Sequence, residues 1–500
     1  MTTDYSRGLL LASAAAGVDE AGLRHRLENT RVHVSAELDI AGVVLALTVL
    51  VTNLRRLPLD LGLEVIGSDP DSPRGLLDHI LELAVGIDAD RNVTLSRRRA
   101  GAVLHVHLGT SPPDGVLVSA VPDGHGVRLR YPGNPYPALR APGSGLGAVL
   151  TAAVLTGEVF KHATGLRPEA MRVRQTLDFC PVTLTEDPGV VTETPMIFTD
   201  TALVGGGAIG TAISLILREL PSAGRLVVVD PQTFEEPNVT TYSLGNVQDA
   251  QNGLRKIDLI KRELHGFDVT TIYGTAQDLL EKIDRGNVWW PKVVLGAVDS
   301  ISARHELQRV YADLTLDGST GGHVGTTLAL REGLPTGPCL RCYYPLRDAQ
   351  AGPSAEQLLH QSTGLAMNRI ARGQLPLSER DLDGLSETGK RILAPHVGKP
   401  VCGLASLLGL VPDSRDDYRP SAAFVAQQAA ALVVGALIAR QTGTLTGAVR
   451  DVEYDALYGP YLHMIASRRP RPACACASNK DLIEQVREVR SSLIPRRGRC

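Results

Sequence analysis

The stretch from Thr201 to Asp230, TALVGGGAIGTAISLILRELPSAGRLVVVD, constrains the fold more than any other part of this 500-residue chain. A short apolar run leads into Gly205, Gly207 and Gly210, which have G-x-G-x-x-G spacing, and a helical pattern of apolar residues follows. A second β run then ends in the acid Asp230. This order of strand, glycine turn, helix, strand and acid predicts a βαβ unit of a Rossmann-like α/β fold.

The same unit predicts a nucleotide site. Glycines allow the backbone to approach a ligand closely, and the start of the helix offers free N–H groups and a positive dipole end to phosphates. Asp230 suits the hydroxyls of a ribose. The pattern alone does not separate a dinucleotide from ATP, and a plain turn between strand and helix is the simpler alternative.

Composition narrows the classes of partner. A hydrophobic share of 43% and a charged share of 21% are ordinary for a globular protein. The net charge of −3 argues against a general nucleic-acid or membrane-surface binder, and an aromatic share of 4% disfavours a base-stacking surface. Asp4 precedes Arg7, which is not the order of a secretory signal. We therefore expect a cytoplasmic protein without a nucleic-acid or membrane partner.

An upstream stretch, Arg31–Gly67, repeats the order of strand, turn, helix and strand. Its turn, SAELDIA, has no glycine triplet, and its second strand ends without an acid. Similar apolar helices are predicted at 147–165 and 422–443, so each half closes in the same way, which favours an internal duplication. The upstream stretch is interpreted as a degenerate copy of the nucleotide fold.

These features divide the chain at about residue 190. Residues 1–190 are predicted to form a degenerate domain, called here the first half. Residues 191–477, the second half, are predicted to form the active domain, with a polar insertion at 346–400 and a charged tail at 478–500. Proline-containing residues 168–200 are interpreted as a linker, and 93–95 with 102–108 as a hairpin.

Seven cysteines suggest a metal site rather than disulfides, because two pairs have close spacing in a long chain. Four thiolates satisfy tetrahedral zinc, so a structural zinc site is predicted from Cys339, Cys342, Cys474 and Cys476. The C-x-C spacing of the second pair departs from the usual C-x-x-C. Two alternating histidines, His105 and His107, suit either a metal site or, more simply, an exposed strand face.

Downstream of the βαβ unit, the chain resembles the E1-like superfamily of ThiF, MoeB and ubiquitin-activating enzymes. The family run D-x-D-x-V-E-x-S-N-L-x-R-Q stands here as DPQTFEEPNVTTY. Its first acid and its asparagine fall on Asp230 and Asn238. The second acid is Gln232, and the arginine and glutamine are replaced by Thr241 and Tyr242. The resemblance extends over about residues 200–477.

Further residues match the family's functional positions. The family lysine falls on Lys256, its metal-binding aspartate on Asp299, the arginine that follows on Arg304, and its catalytic cysteine on Cys402. Cys339 and Cys342 match half of its zinc knuckle. An arginine that reaches into the partner's ATP site in family dimers falls on Arg7. The resemblance therefore implies an intramolecular pseudo-dimer, in which the inactive first half supplies Arg7.

The implied activity is adenylation of a carboxylate by ATP with Mg²⁺, where the glycine turn, Asp230 and Asn238 bind the nucleotide. The implied partner is the C-terminus of a ubiquitin-like or sulfur-carrier protein, or a peptide, with a further homodimer left open. Cys402 would accept the product as a thioester. Simpler roles are an exposed helix lysine for Lys256, a helix cap for Asp299, a turn residue for Asn238 and an inert buried thiol for Cys402.

Two other functions compete with adenylation. The glycine turn also suits an NAD- or FAD-dependent oxidoreductase, although Lys256 and Asp299 then have no task. The replacements Gln232, Thr241 and Tyr242 suit a non-catalytic nucleotide-binding scaffold. Cys180 and Cys500 have no evident role in any of the three.

Overall fold

Two β-sheets with the same strand order form the framework of the protein in a computed structural model. The structure describes the whole chain except residues 1–2, 10–18, 67–73, 92, 96–102, 167–174, 192–194, 322–324, 333–336, 346–354, 371–376, 399–400, 402–403, 409, 411–421, 445–450, 458–459, 461–463, 467–469, 473 and 494–500.

The first sheet belongs to the first half and has the order β3-β2-β1-β4-β5-β6-β7. Its strands from β3 to β5 in that order pair in parallel, and β5–β6 and β6–β7 pair antiparallel. The strands are β1 (Arg31–Glu37), β2 (Asp60–Ile66), β3 (Val93–Leu95), β4 (Val103–Leu108), β5 (Val118–Asp123), β6 (Gly126–Arg130) and β7 (Thr176–Phe179).

The second sheet repeats this order as β10-β9-β8-β11-β12-β13-β14, with β15 added at the edge. Its strands from β10 to β12 pair in parallel. The match confirms a Rossmann-like second half preceded by a degenerate copy of the same fold. The strands are β8 (Met196–Val204), β9 (Ser222–Val229), β10 (Phe267–Ile272), β11 (Val293–Gly296), β12 (Leu314–Gly321), β13 (Gly325–Glu332), β14 (Asp451–Asp455) and β15 (Met464–Ala466).

Helices connect and cover the strands. In chain order they are α1 (Glu20–Glu28), α2 (Val43–Arg55), α3 (Arg74–Ile87), α4 (Gly145–Thr164), α5 (Ala208–Arg218), α6 (Glu236–Val239), α7 (Val247–Gln251), α8 (Lys256–Glu263), α9 (Ala276–Asp284), α10 (Ile301–Leu307), α11 (Leu340–Tyr343), α12 (Ala355–Thr363), α13 (Met367–Ile370), α14 (Glu387–Leu393), α15 (Leu404–Leu407), α16 (Ala423–Gln441), α17 (Ala475–Ser478) and α18 (Lys480–Ser492).

The long apolar helices of the two halves meet in a shared core. Helix α16 packs against α4 of the first half and α5 of the second, and α4 packs against α2. Phe160 of α4 and Phe424 of α16 place their ring centroids 5.5 Å apart. Helix α16 is long and apolar enough to cross a membrane, but 94% of its apolar window is buried within the protein. Such burial is typical of the core helix of a soluble protein.

The insertion forms a second compact unit, made of Gly321–His323 and Pro345–Pro420. Helices α12 to α15 lie in it, around a small apolar core that includes Leu359 and Leu393. Arg369 forms a two-pronged ion pair with Asp381, with Nε 2.8 Å and Nη2 3.0 Å from the carboxylate oxygens. This unit therefore has internal packing and polar contacts of its own.

Two local predictions for the first half are wrong. Strands β3 and β4 do not form a hairpin, because β3 pairs in parallel with β2 and β4 in parallel with β1. The segment 168–200, interpreted as a linker, contains β7 of the first sheet and the start of β8. Prolines in that segment misled the prediction, since they stand outside the ladder positions of both strands.

His105 and His107 are buried, so an exposed strand face is wrong for them. Strand β4 is a central strand of the first sheet, between β1 and β5, and the two histidines are 4% and 0% exposed. The Ser35 hydroxyl forms hydrogen bonds of 2.9 Å with His105 Nε2 and His107 Nδ1. His107 Nε2 lies 2.9 Å from a carboxylate oxygen of Glu37. The two histidines therefore belong to a buried polar network of the first sheet.

We expect this network to make the protein sensitive to acid. Burial lowers the pKa of His107 and outweighs the opposite effect of Glu37. The unfolded chain therefore takes up the proton first as the pH falls below about 6.5, and the stability that His107 contributes at neutral pH is lost. The Tm should fall between pH 7 and pH 5, and less steeply for His107→Gln. The same substitution at exposed His25 should leave the slope unchanged.

Candidate nucleotide site and cysteine cluster

The glycine turn after β8 is shaped by close backbone contacts. Gly205 has a φ of 101°, in the left-handed region that favours glycine, and a Cβ there would lie 2.4 Å from the Ala297 carbonyl oxygen. A Cβ at Gly210 would lie 2.0 Å from the Gly205 carbonyl oxygen. These two glycines are therefore required by the packing of the turn against itself and against Ala297, the residue after β11.

Gly207 differs from the other two glycines because the protein leaves room beside it. It is the N-cap of α5 and, as a glycine, has no side chain with which to cap that helix. The nearest atom to a Cβ at this position is the Tyr242 hydroxyl, at 3.7 Å. The N–H groups at the start of α5 therefore face a position where an anionic group can approach, as in other helix N-termini that bind phosphate.

This difference gives a testable contrast between two alanine substitutions. Gly210→Ala should destabilise the protein by about 3 kcal/mol, since its Cβ meets backbone. Gly207→Ala should cost about 1 kcal/mol or less, because its Cβ makes only an ordinary contact with the Tyr242 hydroxyl. Urea denaturation of the two variants measures both costs. Equal stabilities of the two variants would contradict the packing described above.

Asp230 follows β9, and its carboxylate links the glycine turn after β8 to the segment after β9. One of its carboxylate oxygens accepts the Gly206 N–H at 2.7 Å, and the other accepts the Gln232 N–H at 2.8 Å. The residue is buried. A carboxylate has about four acceptor positions, so both oxygens keep capacity for a hydroxyl group of a ligand.

Lys256 begins α8, and its side chain is among the most completely buried in the described part of the protein. Its Nζ donates to the Tyr242 hydroxyl at 2.8 Å and to the Gln232 side-chain oxygen at 2.6 Å. An exposed helix lysine is therefore wrong for this residue. Tyr242 and Gln232, two departures from the family pattern, are both direct partners of the lysine, which the sequence did not indicate.

Neighbouring residues stabilise the protonated form of Lys256. Burial lowers the pKa of the ammonium group, but Tyr242 and Asp230 more than offset that effect, so the pKa is raised. Arg7 acts in the opposite direction, which places its positive charge close to the lysine. Lys256 is consequently a protonated, buried cation next to the glycine turn, with a second cation from the first half nearby.

Arg7 and Asn238 present buried donors without partners among the described residues. Arg7 is 8% exposed, and its Nε and Nη2 make no hydrogen bond there. Asn238 is fully buried; its Oδ1 accepts the Glu235 N–H at 2.9 Å, and its Nδ2 makes no bond in the described part. The Thr240 hydroxyl donates to the Asp4 carbonyl at 2.8 Å and so brings the leading segment to this region. Buried unpaired donors are rare, and a bound ligand is one explanation for them.

Asp299 follows β11 and is exposed. It does not cap α10, because Ser300 is the N-cap and its hydroxyl accepts the Ala303 N–H at 3.2 Å. Arg304 Nε donates to Asp317 at 2.9 Å, and Asp299 is one of the acids that raise the pKa of Arg304. An exposed carboxylate at the carboxyl end of a parallel strand is suited to a hard cation such as Mg²⁺.

The four predicted zinc ligands come together. Cys339 Sγ lies 3.9 Å from Cys342 Sγ and 3.4 Å from Cys474 Sγ, and Cys342 Sγ lies 3.5 Å from Cys476 Sγ. All four sulfurs lie within 4.8 Å of one another. Zinc–sulfur bonds of about 2.3 Å in a tetrahedron require separations of about 3.8 Å, so the donor set fits Zn²⁺.

The C-x-C spacing is accommodated by helix α17. Cys474 is the N-cap of that helix and Cys476 lies in its single turn, so both thiols face the other pair. Within the described residues, no other group of three or more metal-binding side chains converges. Cys180 is buried, and its thiol donates to the Pro188 carbonyl at 3.4 Å. Cys402 and Cys500 lie outside the described residues.

Comparison with known proteins adds distant likenesses in structure. A crystal structure of E. coli MccB with AMPCPP and MccA is 13% identical, with a TM-score of 0.34, over 72% of this chain and 98% of that chain. PaaA is 13% identical, with a TM-score of 0.28, over 53% and 72%. TcdA (CsdL) is 13% identical, with a TM-score of 0.24, over 49% and 86%. Among curated proteins, no sequence matches this chain.

A family match is more decisive than these likenesses. The model of the ThiF family matches residues 198–476, from the third residue of β8 to the last of the four clustered cysteines. The match covers the glycine turn, the segment with Asn238 and Lys256, and the strand that precedes Asp299. It extends over more than half of the chain, and the protein therefore belongs to the ThiF family of the E1-like superfamily.

Proposed function

We propose that the protein is an adenylyltransferase that uses ATP to activate a carboxylate. The observation that carries the proposal is the set of buried donors beside the glycine turn. Lys256 is protonated and buried, and the described residues provide no partner for Arg7 Nε and Nη2 or for Asn238 Nδ2. Leaving such groups unpaired is costly, and the oxygens of a nucleotide triphosphate would satisfy them.

In the proposed reaction, a carboxylate oxygen attacks the α-phosphorus of ATP. The new bond joins the carboxylate to phosphorus, the bond from α-phosphorus to the bridging oxygen breaks, and pyrophosphate leaves with the electron pair. The N–H groups at the start of α5, from Gly207 to Gly210, would hold phosphate oxygens, and Lys256 and Arg7 would neutralise charge on the leaving group. Asn238 Nδ2 would donate to a further phosphate oxygen, and Asp230 would accept from the ribose.

Asp299 would hold Mg²⁺, which supplies positive charge to the phosphate oxygens when bound. Its exposure at the carboxyl end of β11 supports this role, because no described side chain occupies the carboxylate. Arg304, bonded to Asp317, is a buried positive charge that interacts with the Asp299 carboxylate.

The acceptor is proposed to be the C-terminus of a ubiquitin-like or sulfur-carrier protein, or of a peptide. If the activated carboxylate passes to the enzyme, Cys402 Sγ would attack its carbonyl carbon and AMP would leave, giving a thioester. The cysteine cluster is proposed to bind a structural Zn²⁺, since four thiolates fill every tetrahedral position and leave none for substrate.

ATP–pyrophosphate exchange tests the proposal. Labelled pyrophosphate should enter ATP only when a candidate carboxylate is present, and each class should be tried in turn. A matched control is the same peptide or carrier with a C-terminal amide, which lacks the attacking oxygen and should give no exchange. Intact-mass analysis of wild type and Cys402→Ala then reports the thioester. Exchange that proceeds equally with the amide would overturn carboxylate activation.

A non-catalytic scaffold is the second candidate, because Gln232 and Tyr242 both hold Lys256 with neutral oxygens. A scaffold would bind ATP without exchange, and Asp299→Ala would not change that binding. An NAD- or FAD-dependent oxidoreductase would instead quench nicotinamide fluorescence or carry a flavin absorbance on purification. Exchange, ATP binding without exchange, and a nicotinamide or flavin signal therefore distinguish the three functions.

A further inference from the structure

Ser243, which directly follows Tyr242, is bonded on every polar atom. Its N–H donates to the Thr211 hydroxyl at 3.3 Å, on the helix that follows the glycine turn. Its carbonyl oxygen accepts from Arg56 Nη2 at 3.3 Å, and its hydroxyl oxygen accepts from Gln427 Nε2 at 3.2 Å. Helix α5, the first half and helix α16 therefore all hold this one residue.

The partner residues on the first half are themselves buried and constrained. Asn53 and Gln427 exchange two amide hydrogen bonds, of 2.7 Å and 2.9 Å, across the interface between α2 and α16. Arg56 caps α2, and its Nη1 donates to the Thr52 carbonyl at 2.9 Å. Arg56 therefore contacts Ser243 directly, and Asn53 contacts it through Gln427.

Arg56 is an unusual residue for a protein interior. It is 4% exposed, and no described carboxylate forms an ion pair with it. Burial lowers the pKa of its guanidinium to about 10, so it is still charged at neutral pH. Among the described residues its side chain is bonded only to the carbonyl oxygens of Thr52 and Ser243. Such a buried cation is costly, and an apolar residue of similar size would avoid that cost. Its hydrogen bond to the Ser243 carbonyl indicates a role in fixing that segment.

The segment just before Ser243 contains Asn238 and Tyr242, two residues of the candidate nucleotide site. The Tyr242 N–H donates to the Asn238 carbonyl at 2.9 Å, and the Tyr242 hydroxyl accepts from Lys256 Nζ at 2.8 Å. A shift of Ser243 would therefore move the Tyr242 ring and weaken the hydrogen bond that its hydroxyl accepts from Lys256. The cation–ring distance of 5.1 Å between Lys256 and Tyr242 depends on the same placement.

We propose that Arg56 and Asn53 of the first half are positioning residues for the nucleotide site of the second half. They fix Ser243, and through it Tyr242 and Lys256, in the geometry that receives the phosphates. The inference rests on the proposed ATP site. It assigns the first half a task separate from that of Arg7, because Arg56 acts through the backbone of the second half and makes no contact with the nucleotide.

Calorimetric titration with ATP and Mg²⁺ tests this inference without turnover. Arg56→Met should raise the Kd for ATP about tenfold, since hydrogen bonds from charged donors contribute about that much or more. Arg56→Lys keeps a charged donor and should restore most of the affinity. The matched control is Arg55→Met. Arg55 is an equally buried neighbour whose guanidinium donates to Leu57 and Leu59 carbonyls within the first half.

A double-mutant cycle with Tyr242→Phe identifies the route. If Arg56 acts through the tyrosine hydroxyl, Arg56→Met should change the Kd less than twofold in the Tyr242→Phe background. A purely structural role would instead lower the Tm of both backgrounds equally and leave the cycle additive. Exchange kinetics should show the same split, with a higher KM for ATP in Arg56→Met and a smaller change in kcat.

The outcomes separate this inference from the proposed function. A wild-type protein that binds no ATP would overturn the proposed function itself. Wild-type binding with an unchanged Kd in folded Arg56→Met would overturn the positioning role and leave adenylation standing. An equal loss of affinity in Arg55→Met would also overturn it, because any buried arginine of α2 would then have the same effect.

Discussion

Replacing Lys256 with methionine is expected to reduce ATP–pyrophosphate exchange by about 100- to 1000-fold, the usual cost of removing one group that stabilises transition-state charge. The protein should still fold, at a cost of about 1–3 kcal/mol. Lys256 is 2% exposed, donates to Tyr242 and Gln232, and is held in its charged form partly by Asp230. A methionine of similar length fills the same space but loses these two hydrogen bonds and the attraction to Asp230.

The separation of activity from stability is the informative part of this result. Lys261 lies on the same helix, is exposed, and provides a matched control as Lys261→Met. That variant should keep both exchange and Tm. A folded Lys256→Met that exchanges normally would remove the lysine from the mechanism.

Replacing Cys342 with serine is expected to release one zinc ion per chain and to lower the free energy of unfolding by about 3 kcal/mol or more. Structural zinc contributes about 10 kcal/mol to the folding of small zinc-finger peptides, so a partial loss of this size is conservative. The cluster joins residues that are 134 or 135 positions apart, and it packs beside Ile483 of α18. Elemental analysis and urea denaturation measure the two effects.

Cys180→Ser is the matched control for the zinc prediction. It removes a buried thiol from the first half, well away from the cluster in sequence, which donates to the Pro188 carbonyl. Zinc content should be unchanged in this variant. Purified wild-type protein without metal, and equally stable after treatment with a chelator, would rule out a structural zinc site.

The sequence was sufficient for the parts of the fold that depend on local patterning. The glycine spacing and the apolar runs of Thr201–Asp230 predicted a strand, a turn, a helix and a strand, and the structure has all four. The degenerate copy was predicted from the same order of elements at Arg31–Gly67. The four-cysteine set was also predicted, because zinc restricts ligand type and number more than it restricts spacing.

Contacts between distant segments were not predictable from these patterns. Strand β7 was mistaken for a linker, since only its pairing with β6 defines it as part of the sheet. The burial of Lys256 depends on Tyr242 and Gln232, which differ from the family pattern and gave no signal of their own. The amide pair between Asn53 and Gln427 joins residues 374 positions apart, and no local rule connects them.

The repeated strand order has a consequence for how the protein behaves on dilution. Two copies of one fold share a core within a single chain, so their association is part of folding and has an effective concentration that does not depend on the amount of protein. An assembly of two separate chains would lose its shared sites when diluted below its dissociation constant. In this chain, each pair of folds contains one glycine turn. The specific activity should therefore stay constant on dilution to nanomolar protein.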